Sequence, residues 1–330
     1  MSFEEPFRSL DREKIYNIHG EELVGPKILV VGCGGAGCNI VNRLTNIGID
    51  GAETVALDTD RQHLAMVQAN HKIPVGTNVT RGLGTDGDLG MGRQAAKKSR
   101  WFIEEALEGS DLIFVAAGMG GGTGTSIAPI VSQVAQDQGS IAVGMVSLPL
   151  SEDEARISAA KKGVEELNAR TNTLIVFDNE RVLSLAPCLT PEQVFSVTDQ
   201  FIAEIIKGIT ETITLPSLIN LDYADVKTIM SNGGLSFALV SEGHLDDDPE
   251  RLVGSALKTP LMEADYRGAA NCLLHVTGGH DLTLRYAAAV SSALTRELDQ
   301  GANVIWGARI RKELTGKICI MAIMTKLRQT

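Results

Sequence analysis

The 330-residue chain exceeds the roughly 250–300 residues at which a single core stops growing, so two packed units are expected. Its formal charge of −11 repels nucleic acid and anionic lipid, so no nucleic-acid partner is expected and any phosphate must be bound by local geometry. A composition 44% apolar and 22% charged excludes a disordered chain, and no apolar run approaches the roughly 20 residues of a bilayer crossing, so direct membrane insertion is not expected either.

The opening residues, MSFEEPFRSLDREK, lack the basic-then-apolar pattern of a secretory signal, which implies a cytoplasmic location. Residues 1–26 mix charges with isolated apolar side chains and read as an N-terminal extension with room for one short helix. From Lys27 short β-branched runs alternate with helical stretches: KILVVG, a helix over 36–46, TVALD, a helix over 90–108, DLIFVAA, a helix over 123–138, SIAVGMVSL, a helix over 152–170, and NTLIVFD. Such alternation predicts a Rossmann-like parallel-sheet α/β domain over 27–190, with both sheet faces covered.

Apolar residues then recur at helical spacing from Val194 to Ile209, and Pro191 suits a first turn, so 191–215 is predicted to be a long central helix. Residues 216–330 change rhythm: LSFALVSEG, a helix over 249–261, NCLLHVTGG, a helix over 282–298, then NVIWGARI and KICIMAIMTKL as a hairpin-like last pair. They predict a smaller C-terminal α/β domain with a mixed sheet. Five cysteines without CxxC spacing imply reduced thiols. The histidines, His63 among them, show no metal-ligand spacing and read as surface or packing residues, so no protein-held metal site is expected.

Two glycine clusters carry the chemistry. Gly32-Cys33-Gly34-Gly35-Ala36-Gly37 satisfies GxGxxG between a strand and a helix, where the backbone can approach a phosphate at a helix N-terminus. With Asp58 and Asp60 ending the next strand, this cluster alone also suits a nicotinamide dehydrogenase. The second cluster, Gly118 through Thr125, follows DLIFVAA and opens another helix, in a place where dinucleotide folds have no such loop. Backbone N–H groups and the Thr123 and Thr125 hydroxyls can surround a di- or triphosphate without the lysine of a Walker loop.

At these residues the chain resembles the tubulin and FtsZ family of filament-forming GTPases, and more closely its FtsZ branch in archaeal form. Gly120-Gly121-Gly122-Thr123-Gly124-Thr125-Ser126 matches the signature GGGTGT[GS], and VGCGGAGCNIV, Thr80-Arg81-Gly82-Leu83-Gly84 and Asn220-Leu221-Asp222-Tyr223-Ala224-Asp225 match further motifs in order over 27–327. The resemblance implies GTP or GDP bound by Gly34, Gly35, Ala36, Gly37, Cys38 and Asn39, with Gly120, Gly121, Gly122, Thr123, Gly124 and Thr125 on the phosphates and Gly82 toward the γ-phosphate. It assigns Glu152 and Arg156 to ribose and phosphate, and Asn179 and Asp199 to guanine; Mg²⁺ would be held through the phosphates. A carboxylate at Asp199 accepts from the guanine N1–H and amino group and so discriminates against adenine. Phe195, one turn earlier, is placed either to stack on the base or to pack in the core.

Asp222 and Asp225 stand three apart where a loop enters a helix, with Asn220 beside them, and carboxylates in such a position also cap helices. The central helix holds them roughly 30 Å or more from the guanine contacts, beyond reach of a nucleotide in their own subunit. The resemblance resolves this: the NxDxxD loop enters the pocket of the next subunit, so a head-to-tail homopolymer completes the site and assembly activates hydrolysis. It further implies a cell-division ring at mid-cell. A filament paralogue that scarcely hydrolyses remains the alternative.

Several positions depart from the family pattern. Asp58 stands where Asn is usual, and Ser126 where FtsZ commonly has Gly. The 149–156 segment is one residue short and lacks Gly after Glu152, which leaves its register open. MTKL replaces a TGF-like close, and the sequence stops at Thr330 before the linker and terminal peptide by which many FtsZ proteins bind membrane adaptors. Any division-ring adaptor proteins are therefore expected to bind elsewhere, with the N-terminal extension as a substitute.

Overall fold

The structure is a computed structural model in which residues 25–150, 154–258 and 266–327 are described. The first half runs β1 (Ile28–Cys33), α1 (Gly34–Ile47), β2 (Ala52–Asp58), α2 (Arg61–Met66), β3 (His71–Pro74), α3 (Thr77–Thr80), α4 (Leu89–Lys98), α5 (Arg100–Leu107), β4 (Leu112–Gly118), α6 (Gly122–Asp137), β5 (Ile141–Leu148), α7 (Glu154–Asn168) and β6 (Thr173–Asp178). Then come α8 (Asn179–Leu185), the 24-residue α9 (Pro191–Thr214), α10 (Tyr223–Met230), β7 (Gly234–His244), α11 (Pro249–Lys258), β8 (Asn271–Gly278), α12 (Leu284–Arg296), β9 (Asn303–Ile310) and β10 (Lys317–Thr325).

All strands join one ten-stranded sheet in the order β3-β2-β1-β4-β5-β6-β7-β10-β8-β9. The first six are parallel in the doubly wound order 3-2-1-4-5-6. β6 passes the sheet to β7 through parallel pairs from Thr173↔Gly234 to Ile175↔Ser236, after which β7 runs antiparallel to β10. The fold is thus the predicted mostly parallel α/β sheet followed by a mixed one.

β1 and most of β4 are buried along their whole length because helices cover both faces, which is why these strands read as unbroken apolar runs. Alternate residues separate into two cores. Val30, Phe114, Val143 and Ile175 pack with Ile202, Ile205, Ile206 and Ile209 of α9, and this cluster continues into β7, β8 and β10. Leu29, Val31, Ile113 and Val115 pack instead against Ile103, Ile127 and Val131 of α5 and α6. Each fully buried branched side chain contributes about 1.5–3 kcal/mol, so α9 is welded to both halves by its isoleucine stripe. Its start is fixed by a capping box in which Thr190 and Gln193 serve each other's backbone, with Pro191 following.

Two expectations are corrected. The single helix over 90–108 breaks at Ser99 (φ −101°, ψ 8°), whose Oγ accepts the Gly76 N–H at 2.8 Å. β9 and β10 are not a hairpin: β9 lies parallel to β8, and β10 sits between β7 and β8, antiparallel to both. The short edge strand β3 and the helix α2 were not foreseen. Residues 1–24 of the extension, Glu152, and the end of the helix expected over 249–261 lie outside the described residues.

Candidate functional site

A cleft of about 610 Å³ opens at the carboxyl ends of β1, β4, β5 and β6, the crevice where doubly wound sheets take ligands. Gly34 turns the chain from β1 into α1 at φ +69°, and a Cβ there would lie 2.7 Å from the Gly124 nitrogen, so the two glycine loops touch. Gly122 is equally constrained: its Cβ would stand 2.4 Å from Thr85 Oγ1 and 2.8 Å from the Gly87 carbonyl carbon. Thr123 joins the neighbouring loops, its Oγ1 lying 2.7 Å from Thr59 Oγ1 and 3.1 Å from Thr85 Oγ1.

Two helices, α1 and α6, begin at this hydroxyl cluster. Their N-cap residues, Cys33 and Gly121, supply no side-chain cap, and neither first turn holds an acidic residue. Neither helix therefore caps its own leading N–H groups or opposes its positive dipole end from its own first turn, which favours an anion at the cleft.

At the other end lie Asn179, Phe195 and Asp199. Asn179 is 1% exposed; its Nδ2 donates to the Leu148 carbonyl at 2.5 Å and its Oδ1 accepts from Thr198 Oγ1 at 2.6 Å. These bonds tie β5 to α9 and use one of the two amide donors and one of the two oxygen lone pairs of Asn179. Burial pushes the Asp199 carboxyl up to about 7 against the opposing pull of Arg43. Phe195 is 41% exposed and lines the cleft, so it is not packed in the core.

Of the residues expected at a nucleotide, Gly35, Ala36, Asn39, Gly121, Gly122, Thr123, Gly124, Arg156, Asn179, Phe195 and Asp199 line this cleft. Gly34, Gly37, Cys38, Gly82, Gly120 and Thr125 do not. Cys38 is wholly buried, with Sγ 3.7 Å from the Gly32 carbonyl and 3.6 Å from that of Leu57, while Thr125 Oγ1 accepts the Gly120 N–H at 2.9 Å, so these two shape the loops. Sequence reasoning missed Thr85, Ser147 and Pro149, which also line the cleft, and Thr59 behind Thr123. Thr59 stands between Asp58 and Asp60 at a strand end and Thr85 just after the Gly82–Gly84 turn, positions that only the fold brings to Thr123.

His63 is likewise more than a surface residue. Its Nδ1 lies 2.9 Å from Asp58 Oδ2 and its Nε2 3.2 Å from Asn39 Oδ1, linking a buried carboxylate to the cleft. Cys38, Asp58 and His63 bring possible metal-ligand atoms within 4.8 Å of one another. Burial, with the Asp58 charge beside it, raises the Cys38 thiol well above its ordinary range. Among the described residues lining the cleft the one carboxylate is Asp199, at the end away from the hydroxyls.

Asn220, Asp222 and Asp225 lie elsewhere. Asp222 caps α10, and the Asn220 Oδ1 accepts the Ser217 N–H at 2.7 Å. The Tyr223 hydroxyl donates to the Asp111 carbonyl at 2.9 Å, at the foot of β4, whereas the glycine loop follows the head of β4 at Gly118. The seven residues of β4 place these two ends roughly 20 Å apart.

Uncapped helix ends, a lysine-free glycine cradle and a buried carboxylate at the far end of a parallel-sheet cleft define a tubulin-like GTPase. Residues 27–187 match the family model of the Tubulin/FtsZ GTPase domain, and residues 234–328 that of the FtsZ C-terminal domain. The chain belongs to the FtsZ family of cell-division GTPases. It is 52% identical over 314 residues to cell division protein FtsZ 2 of Halobacterium salinarum, covering 95% of this chain and 80% of that one. It is 49% identical to FtsZ 2 of Methanocaldococcus jannaschii, covering 92% and 81%. The solved structure described as an empty FtsZ dimer from M. jannaschii superposes with a TM-score of 0.87 at 40% identity, covering 92% of this chain and 88% of that one. The dehydrogenase reading is thereby set aside. Among the described residues no helix is long and apolar enough to cross a membrane.

Proposed function

We propose that this chain binds GTP in the cleft and hydrolyses it only after assembling head to tail. Guanine is read by Asp199 and Asn179 and stacked by Phe195; Glu152 and Arg156 hold ribose and phosphate; the α1 and α6 loops, with Gly82 nearby, cradle the phosphates. Mg²⁺, carried by the phosphates, supplies charge neutralisation when bound. Asp222 and Asp225 of the next subunit, with Asn220, orient and polarise the attacking water. Positioning and electrostatics then supply most of the catalysis.

The observation that carries this reading is the placement of the Asp222–Asp225 pair at the foot of β4 and of the cleft at its head. One subunit cannot bring the two together, whereas stacked subunits can, and a non-closing head-to-tail contact grows a filament. Such filaments fit a division ring at mid-cell in the cytoplasm, with adaptor proteins linking them to the membrane. The direct test is Asp225→Asn, which should bind GTP like the parent yet lose most hydrolysis; a variant hydrolysing at the parental rate contradicts the assignment.

A further inference from the structure

Asp58, His63 and Asn39 form a line of side chains that runs from the core to the cleft. Asp58, 3% exposed at the end of β2, spends one carboxylate oxygen on the backbone: Oδ1 accepts the Thr59 N–H at 2.7 Å and the Asp60 N–H at 3.2 Å. Its other oxygen, Oδ2, lies 2.9 Å from His63 Nδ1. The short helix α2 brings His63 there because Asp60 caps it, accepting the Gln62 and His63 N–H groups, and because Leu64 packs with Cys38, Ala56 and Val67. His63 Nε2 then stands 3.2 Å from the side-chain amide of Asn39 on α1.

Asn39 needs such a hold. It is exposed, and among the described residues its side chain bonds to His63 alone. It lines the cleft and also the groove between α1 and α9 that it shares with Phe195 and Asp199, which places it toward their end of the cleft. A carboxylate can only accept, so the bond at Asp58 puts a ring proton on His63 Nδ1. In the neutral ring that proton is then spent, which settles what Nε2 offers and therefore which end of the Asn39 amide it engages. The two ends of an amide have nearly the same shape, so packing does not choose between them and the hydrogen bond does. The opposite end is left for the cleft.

We propose, on the reading that the nucleotide occupies the cleft beside Asn39, that Asp58 and His63 are positioning residues for its binding: Asp58 fixes the His63 tautomer, and His63 turns the Asn39 amide so that one chosen end meets the nucleoside. The carboxylate is essential to this role. In Asp58→Asn the single amide oxygen is taken by the Thr59 and Asp60 N–H groups, so the NH₂ faces His63 Nδ1, the ring proton moves to Nε2, and the Asn39 amide reverses.

NMR spectra of protein labelled with ¹⁵N-histidine read the tautomer, with the His63 signals assigned by their loss in His63→Phe. The parent should show Nδ1 protonated, and Asp58→Asn should show the proton on Nε2. His63→Phe, which keeps a ring and removes both bonds, and Asp58→Asn should each weaken GDP about three- to tenfold in titration calorimetry, the size of one hydrogen bond, while staying folded by circular dichroism. In an Asn39→Ala background neither should weaken GDP further. Losses that add to that of Asn39→Ala overturn the proposal, as does unchanged GDP affinity in both variants or a parent ring without a proton on Nδ1. If Asn39→Ala binds GDP like the parent while Asp199→Asn does not, Asn39 is no contact and the proposal falls alone; if neither substitution changes the affinity, the reading of the cleft as the nucleotide site falls with it. Should His63→Phe fail to fold, Asp58→Asn carries the same cycle, with His63 assigned by His63→Gln.

Discussion

Asp222 and Asp225 bond to each other's backbone: Asp222 Oδ1 accepts the Asp225 N–H at 2.9 Å, and Asp225 Oδ2 accepts the Asp222 N–H at 3.1 Å. Within its own subunit the pair is a capping box for α10, which holds the two carboxylates in a fixed mutual geometry. The capping reading and the catalytic reading are therefore compatible, because the cap is what presents the carboxylates. Asp222→Ala should cost about 1 kcal/mol of stability through the lost cap. Asp225→Asn keeps an acceptor for the Asp222 N–H, so its urea midpoint should stay near parental while its GTP turnover falls. Parallel loss of stability and turnover in Asp225→Asn would make the pair structural only.

If Asp199 reads guanine as proposed, nucleotide binding and bare-fold stability should respond oppositely to pH. Its folded value of about 7 lies above the unfolded 3.8, so between these pH values the folded chain holds a proton that the unfolded chain has released. The nucleotide-free fold should lose about 2–4 kcal/mol from this group as pH rises from 4 to 7. Guanine recognition needs the ionised form, so GDP affinity should fall as pH drops below 7. Asp199→Asn should flatten both profiles, raise the thermal midpoint of the nucleotide-free protein at pH 8, and weaken GDP by about 1.5–3 kcal/mol. Unchanged GDP affinity in titration calorimetry would remove Asp199 from the site.

Gly122→Val tests the cradle. The new side chain collides with Thr85 and with the backbone around Gly87, displacing the loop that meets Thr123. The variant should retain its circular dichroism spectrum yet emerge from gel filtration free of nucleotide. Retained nucleotide would place the phosphates elsewhere.

Glu211 ties α9 to the C-terminal strands. Buried to 3% exposure, it meets Lys207 at 2.9 Å, Arg309 at 2.8 Å, and Arg311. Burial alone would raise its carboxyl, but the Lys207 hydrogen bond and the Arg311 charge overcome it and the net shift is downward. Its stabilisation is thus present above the ordinary carboxylate range and lost as pH falls through the depressed value. Glu211→Ala, which strands three cations, should cost about 3 kcal/mol in urea unfolding. A loss under about 1 kcal/mol would show that the cations simply turn to solvent.

The elements that the sequence announces are those whose reasons are local. β1, α1, β4 and α6 follow from apolar runs that meet glycine loops, and α9 from its isoleucine spacing and Pro191. β3 escaped because HKIP is short, largely exposed and ends in Pro; it is a strand only through its register with β2 from Val55↔His71 to Asp58↔Pro74. The break at Ser99 depends on Gly76, 23 residues upstream. The connection from β9 to β10 is short enough for a hairpin, but β8 lies between them. The site divides the same way: glycine signatures name the cradle, whereas the Thr59–Thr85–Thr123 cluster and the Asp58–His63–Asn39 link arise only from folding.

The measurement that bears most directly on a shared active site is GTP turnover per subunit across a dilution series, with light scattering recorded on the same samples. If the carboxylates act on a neighbour's nucleotide, turnover should be near zero below an assembly threshold and rise with the scattering signal above it. Adding Asp225→Asn subunits should then lower turnover in proportion to the interfaces they occupy. Turnover per subunit that stays constant far below any scattering would mean that each chain carries a complete site, and the roles given to Asp222 and Asp225 would be wrong.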